Sequence, residues 1–340
     1  MQEFHQNNHY VSQSYLKRWS IDGHRVYGYR ILVSHKNVPP WKLHSIRSVA
    51  YHTHLYTKMS KTGESDEFER WIADKFETPA EDSINKAITG QRLSQEDWNR
   101  MIRFAAAQYV RTPARLLESI ERWKTQIPEI VDSTLKMLAD TLSKGKNQNI
   151  PDIADTTVDN ESFPAQIKIV PASEPGKSRI EVNTMAGRCL WQWEMKQILT
   201  NTIKELLKHR WYILTAFSGF KWITNDDPVI CLNYNGPNKY DFGGGWGRKG
   251  CEIILPLSPR HLLYTQVGHK LTINKNLTRD LTLKFQKLFV ERAHRWIFAE
   301  KPIEDIRPRI IDENIFASEQ KEWQRWHADQ SNEEQNYNLE

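Results

Sequence analysis

The sequence predicts an α+β fold with a small N-terminal sheet, a central helical bundle, and a C-terminal antiparallel meander with flanking helices. Three observations carry this. The segments Arg25 to Val33 and Ile46 to Thr57 alternate with the two-residue period of strands. From Ser65 the apolar period lengthens to helical steps. Beyond a long amphipathic stretch ending near His209, short apolar runs punctuated by Gly, Asn-Asp and Pro return. With 340 residues, 39% hydrophobic and 26% charged, the chain can bury one large core or two modest ones.

Taken in order, the two N-terminal strands flank Pro39-Pro40. Ser65 caps a helix over Asp66 to Ala87, in which Phe68, Trp71, Ile72, Phe76 and Ile84 recur at helical steps, Pro79 kinks or splits it, and Gly90 ends it. Ser94 with Asp97 resembles a capping box and opens a helix whose stripe is Trp98, Met101, Ile102, Ala105, Tyr109 and Val110, stopped or kinked at Pro113. Another helix runs from about Pro128 to Ser143. Gly145 to Gly176, rich in Pro, Asn, Asp, Thr and Ser, reads as a flexible insertion. Asn183 to His209 is a long amphipathic helix. The segments 211–217, 220–224, 229–233, 252–257 and 262–266 are the meander, 274–292 is a helix, and 295–299 is a last strand. Residues 1–310 form one domain on this reading, and 311–340 an acidic arm. No internal repeat of fixed period is present.

Charge is unevenly spread. Residues 1–58 carry eight Lys and Arg against Glu3 and Asp22, and seven of the twelve histidines, interleaved with Tyr10, Tyr15, Trp19, Tyr27, Tyr29 and Trp41. Cations among aromatics can hold phosphate and stack on bases, which makes Lys17, Arg18, Arg25 and Arg30 candidate nucleic-acid contacts. From Asp312 to the end, eight acids face Lys321 and Arg325, with Ile315, Phe316, Trp323 and Trp326 as apolar anchors. The two ends are expected to attract, so the basic front is also a candidate docking surface for the arm. No run of about 18 apolar residues is present, which excludes a membrane helix. The N-terminus lacks a signal-peptide pattern, and Cys189, Cys231 and Cys251 show no metal or disulfide spacing; a cytoplasmic protein with reduced thiols is expected.

Several motifs bear on chemistry. Gly245 to Gly250 matches GxGxxG but precedes a strand, where a dinucleotide fingerprint must open a helix, so it reads as a hairpin loop. His5 with His9, and His52 with His54, have two-ligand metal spacing but no assignable third donor. Glu69 and Glu77 share one helix face roughly 12 Å apart, too far for a single ion. Thr224-Asn225-Asp226-Asp227-Pro228 places acids at a strand end, where metal-dependent phosphodiesterases keep ligands. The alternative there is a turn in which Asp226 caps backbone amides. The strand from Glu252 has no lysine at the position a restriction-nuclease-like site requires.

His9-Tyr10-Val11-Ser12-Gln13-Ser14-Tyr15-Leu16-Lys17-Arg18-Trp19 resembles the opening signature of the bacterial family called domain of unknown function 4238, in which Pro and Phe stand where this chain has Ser12 and Trp19. Phe68-Glu69 through Phe76-Glu77, Gln108 to Pro113, Trp222 to Val229 (with Asn225 for the family's Ser), and Leu255 to Pro259 follow in the family's order, so the resemblance spans about residues 8–302. It implies at most an effector or accessory role in bacterial defence against phage. Its polar members are His9, Gln13, Arg18, Glu69, Glu77, Arg111 and Asp226. Their convergence would supply a base (His9), an orienting carboxamide (Gln13), carboxylates for Mg or Mn (Glu77, Asp226) and a guanidinium for phosphate (Arg111). The expectation is a metal-dependent nuclease. Its rivals are a non-catalytic module that binds nucleic acid or a protein partner, and a polar network that is purely architectural; a homo-oligomer is compatible with either.

Overall fold

The computed structural model describes residues 6–60, 63–143, 164–171, 178–236, 239–271 and 274–339. The N-terminal part holds β1 (Asn7–His9), α1 (Gln13–Leu16, tightening to a 3-10 turn through Trp19), β2 (Arg25–Arg30), β3 (Leu32–Val33), β4 (Trp41–Ser45), β5 (Tyr51–Thr53), β6 (Lys58–Ser60) and β7 (Gly63–Ser65). Beside β2 lies Trp41–Ser45, which the sequence did not announce as a strand, while the expected strand Ile46 to Thr57 is reduced to β5. Ile46–Ser48 closes into a 3-10 turn, and Ala50 (φ 53°) and His54 (φ 57°) turn the chain on either side of β5, leaving only three extended residues to pair with β1. Left-handed backbone at non-glycine residues is costly and needs fixed neighbours. The Ala50 carbonyl accepts the Tyr10 N–H (3.0 Å), and the His54 N–H donates to the Gln6 carbonyl (2.7 Å).

The central helices are α2 (Glu67–Ile72), a π turn (Ala73–Glu77), α3 (Thr78–Ile88), α4 (Gln95–Val110) and α5 (Pro113–Ser143). The expected split at Pro79 is a π turn ending just before it, so the proline sits in the first turn of α3, where its missing N–H costs nothing. The Ser94/Asp97 capping box is complete. Pro113 does end the run of α4, but it also begins α5, and the helix expected from Pro128 is the second half of this longer one, with Pro128 inside it. The expected flexible insertion lies mostly outside the described residues. Its described part is β8 (Ala165–Pro171), paired with β9 (Ser178–Thr184). The expected helix 183–209 begins later, as α6 (Arg188–Gln197), a π turn (Ile198–Thr202) and α7 (Ile203–Leu207).

The C-terminal part contains β10 (Tyr212–Thr215), β11 (Thr224–Asn225), β12 (Ile230–Tyr234), β13 (Tyr240–Asp241), β14 (Glu252–Ser258), β15 (His261–Gln266), α8 (Arg279–Arg292), β16 (Trp296–Ala299), β17 (Ile310–Ile311) and α9 (Glu313–Leu339). The strands pair antiparallel as expected, but the order β10-β15-β14-β12-β13 is not a simple meander, because β11 leaves to form a second sheet, β11-β16-β2-β4. That exchange joins the two ends of the chain. It also packs the N-terminal signature on the Trp222–Val229 segment: Trp19 Nε1 donates to the Trp222 carbonyl (2.9 Å), and the Tyr15 hydroxyl meets Thr224 Oγ1 (2.7 Å). All of these groups are buried, so both the rings and their polar handles are satisfied. Among the described residues no helix is long and apolar enough to cross a membrane.

Candidate functional site

Most of the polar signature residues converge on β1. The Tyr10 carbonyl accepts from Gln108 Nε2 (2.7 Å) and Arg111 Nε (3.2 Å), and Gln108 Oε1 in turn accepts the Ser12 N–H (3.2 Å). Arg111, 3% exposed, pairs with Glu77, which the π turn brings to it. Asn8 links the Glu69 carboxylate to the Tyr56 N–H (2.9 Å to the latter). His9 Nδ1 lies 3.4 Å from Gln13 Nε2, while its buried Nε2 has no hydrogen-bond partner among the described residues.

Two electrostatic consequences follow. Burial lowers the His9 pKa, outweighing the carbonyls of Arg47 and Asn7, which favour its charged form. Burial raises the Glu69 carboxyl to about 7 against the hydrogen bonds that hold its anion.

Asp226 stands apart from this cluster in its bonding. Its Oδ1 accepts the His294 N–H (2.8 Å), and its Oδ2 accepts those of Arg295 (2.7 Å) and Trp296 (3.1 Å). Even so, burial lifts the carboxyl to about 7. Asn225 Oδ1 takes the Asp227 N–H (2.8 Å), and Asp227 is held by Thr112 Oγ1 (3.0 Å), Arg115 and Arg292. The amide-capping alternative for this motif describes it. The donor set does not fit the expected Mg or Mn between Glu77 and Asp226: Glu77 is neutralised by Arg111, and both Asp226 oxygens are spent on N–H donors that a cation would have to displace.

What Asp226 fixes is the corner that carries Arg295 and Trp296 into a cavity of about 670 Å³. One wall is the chain from Ser48 to Leu55 with Tyr10 and Arg30, and the other is α9. Its rings are arranged in two groups. Tyr10, His52 and Trp323 form a continuous stack, with centroids 5.4 and 4.3 Å apart, and Trp326 meets Trp323 edge-on. The Arg30 guanidinium lies 4.6 Å above Trp296 and 5.5 Å from Phe316. Arg295 Nε is bound to both carboxylate oxygens of Glu319 (2.9 and 2.8 Å). By contrast, no hydrogen-bond acceptor among the described residues holds the Arg30 guanidinium.

The acidic arm packs along this cavity against the N-terminal segment, but the ion pairs that hold it are with Arg295 and Arg188, which lie outside that segment. At the far end of the cavity Arg188, fully buried, donates through Nε and Nη2 to Glu334 (2.9 and 2.8 Å) and through Nη1 to the His54 carbonyl (3.1 Å) and His327 Nδ1 (2.9 Å). Gly187 permits this approach, because a Cβ there would collide with Gln330, whose Oε1 caps the Arg188 N–H (2.7 Å).

His54, Glu64 and His327 form a group of three donors within 4.8 Å of one another. The Arg188 cation donates to His327 Nδ1, leaving the proton on Nε2; a metal-bound imidazole donates its second nitrogen to an acceptor instead, so this group does not suit a cation. His5, the expected partner of His9, lies outside the described residues.

Of the expected nucleic-acid contacts, only Arg30 reaches the cavity. Arg25 is paired with Asp22 (2.7 Å), Arg18 donates to the Ser14 carbonyl (3.2 Å), and Lys17 is exposed on the turn after α1. Tyr10, His52, Arg295 and Trp296 were not among the candidate site residues. For Tyr10 and His52 the available signal was the interleaving of aromatics, histidines and cations at the front; Arg295 and Trp296, in the expected last strand, carried none, while Phe316, Trp323 and Trp326 were visible as anchors of the arm.

The fold and this site define an α+β protein whose ends close over an aromatic cavity with an available arginine. No curated protein and no solved structure matches the chain. A family model described as "Protein of unknown function (DUF4238)" matches residues 7–302, and the chain belongs to that family. The matched range includes Tyr10, Arg30, His52, Arg295 and Trp296 and ends before α9.

Proposed function

We propose that the chain binds nucleic acid, with a nucleobase taken into the cavity and a phosphate drawn to Arg30. The observation that carries this reading is the Arg30 guanidinium, laid over Trp296 at 4.6 Å and free of hydrogen-bond acceptors among the described residues, in a cavity of about 670 Å³ walled by aromatic rings. Such a volume suits a small ligand such as a nucleotide. Ring faces attract any base, and a cation nearby recognises the phosphate that every nucleotide carries. An unpaired strand is also a ligand class that fits the defence setting implied by the family resemblance.

Titration of the full chain with a nucleoside 5′-monophosphate and with its unphosphorylated nucleoside tests the reading. The phosphate should tighten binding about tenfold, and Arg30→Ala should abolish that gain. Absence of binding by both ligands, or an Arg30→Ala variant with the same phosphate preference, would overturn it.

One observation favours a second reading, metal-free phosphodiester cleavage. On β1, Asn8 is hydrogen-bonded to the Glu69 carboxylate beside His9, and burial raises that carboxyl to about 7 while lowering the imidazole, so an acid and a base lie together there. Cleavage of an oligonucleotide in the presence of a chelator, lost in both Glu69→Gln and His9→Gln, is its expected signature.

A further inference from the structure

We propose that α9 is an intramolecular stand-in for a nucleic-acid strand. It occupies the track that a single strand takes across His52, Arg30 and Trp296, and the strand binds by lifting it. This rests on the reading of the cavity as a base site. The cavity has room for one nucleotide, whereas the His52 face on which a further base would stack is covered by Trp323, and Phe316 lies over Arg30.

The groups that cover them reproduce the chemistry of a strand. Trp323 lies on His52 with planes 27° from parallel, as a base would, and Phe316 covers the Arg30 cation. Between them Glu319 sets a bidentate anion on Arg295, the place of a phosphate. Phe316, Glu319 and Trp323 follow at steps of three and four, so ring, anion and ring form one stripe about 10 Å long. Charge agrees: α9 carries six acids against Lys321 and Arg325, and it packs on the basic N-terminal segment. The family match ends at residue 302, so the covered surface belongs to the shared core and the covering helix lies beyond it.

The attachment of α9 is graded along its length. Glu334 is 1% exposed and locked to Arg188. The Arg295–Glu319 pair is partly open, with side chains 33% and 24% exposed. No residue of the Phe316–Trp323 stretch is fully buried. A strand therefore displaces the N-terminal part of α9 while the Arg188–Glu334 pair keeps the helix attached. An ion pair of this exposure holds weakly and is screened by salt, as a displaceable contact must be.

The test uses the full chain, fluorescent DNA and RNA oligonucleotides of about a dozen nucleotides, and a nucleoside monophosphate. Glu319→Gln should bind the oligonucleotides up to about fivefold more tightly than wild type, and Glu319→Lys more tightly still. Hydrogen exchange of residues 313–327 should rise when wild type takes the strand, while 330–336 stays protected. Equal oligonucleotide affinity in all three proteins, with exchange at 313–327 unchanged by the strand, would overturn the stand-in; monophosphate binding by wild type in that same series would leave the base site standing. Absence of both oligonucleotide and monophosphate binding would remove the base site and the stand-in together. The DNA and RNA arms report which strand the track prefers.

Discussion

Trp323 lies face-on to His52, ring centroids 4.3 Å apart, so the last helix of the chain is stacked on a strand near its beginning. The imidazole is held between Trp323 and Tyr10, and the energetics of α9 depend on its staying neutral there.

Acid should loosen this stack. Burial lowers His52 to about 4, and burial together with Arg188 and the neighbouring His54 lowers His327 to about 4, from an ordinary 6.5. The unfolded chain therefore takes protons first as pH falls, and the stability these two groups contribute is complete above 6.5 and lost progressively down to about 4. Imidazole titrations followed by NMR should place both midpoints near 4, and His52→Phe should flatten the fall of thermal stability over that window. Midpoints near 6.5 would contradict the burial described.

The Arg188–Glu334 pair is sealed at 0% and 1% exposure. Glu334→Gln and Arg188→Met, made singly, should each cost about 3–5 kcal/mol in the docking of α9, since each strands a buried charge. The double variant Arg188→Met/Glu334→Met should cost less than either. Protease sensitivity of α9 together with urea unfolding measures this, and additive losses would show that the charges are not interdependent.

Asp226 is the acceptor for three consecutive amides, and Asp226→Ala leaves all three without it. A loss of about 2–4 kcal/mol in urea unfolding is expected. With Mg²⁺ or Mn²⁺ added, wild type should show no stabilisation that the variant lacks, because the carboxylate oxygens are already committed. A cation-dependent stabilisation abolished by the substitution would restore the metal site.

Glu69 gives the opposite pH sign to the histidines. Its carboxyl is raised from 4.5 to about 7, so the folded state keeps its proton longer and stability falls as pH rises between those values. Glu69→Gln cannot ionise and still accepts from Asn8. Its stability relative to wild type should therefore improve between pH 5 and pH 8, and a difference constant across that range would mean that Glu69 is not desolvated.

Periodic elements are legible in the sequence alone. The helix after the Ser94 cap, the strands around 229–233 and 252–266, and the docked acidic arm all follow from local spacing, capping chemistry and charge. That the motif residues His9, Gln13, Glu69, Glu77 and Arg111 are more polar than a fold requires was legible; that they gather around β1, while Asp226 is bonded elsewhere, was not. Asp226 shows the limit. An acid at a strand end looks the same in sequence whether its oxygens meet a cation or three amides, and the amides it meets, at 294–296, are contributed by a distant corner.

The sequence by itself determined the α+β class, where most helices end and the opposite charges of the two ends, because periodicity, capping and charge are written within a few residues or summed over a segment. Tertiary structure alone decided that β11 crosses to a second sheet, that Arg30 rather than Arg18 or Arg25 faces a cavity, and that Trp323 covers His52. Those outcomes depend on which distant backbone supplies a hydrogen-bond partner and which ring fills a given space, and such long-range choices leave no local period to read.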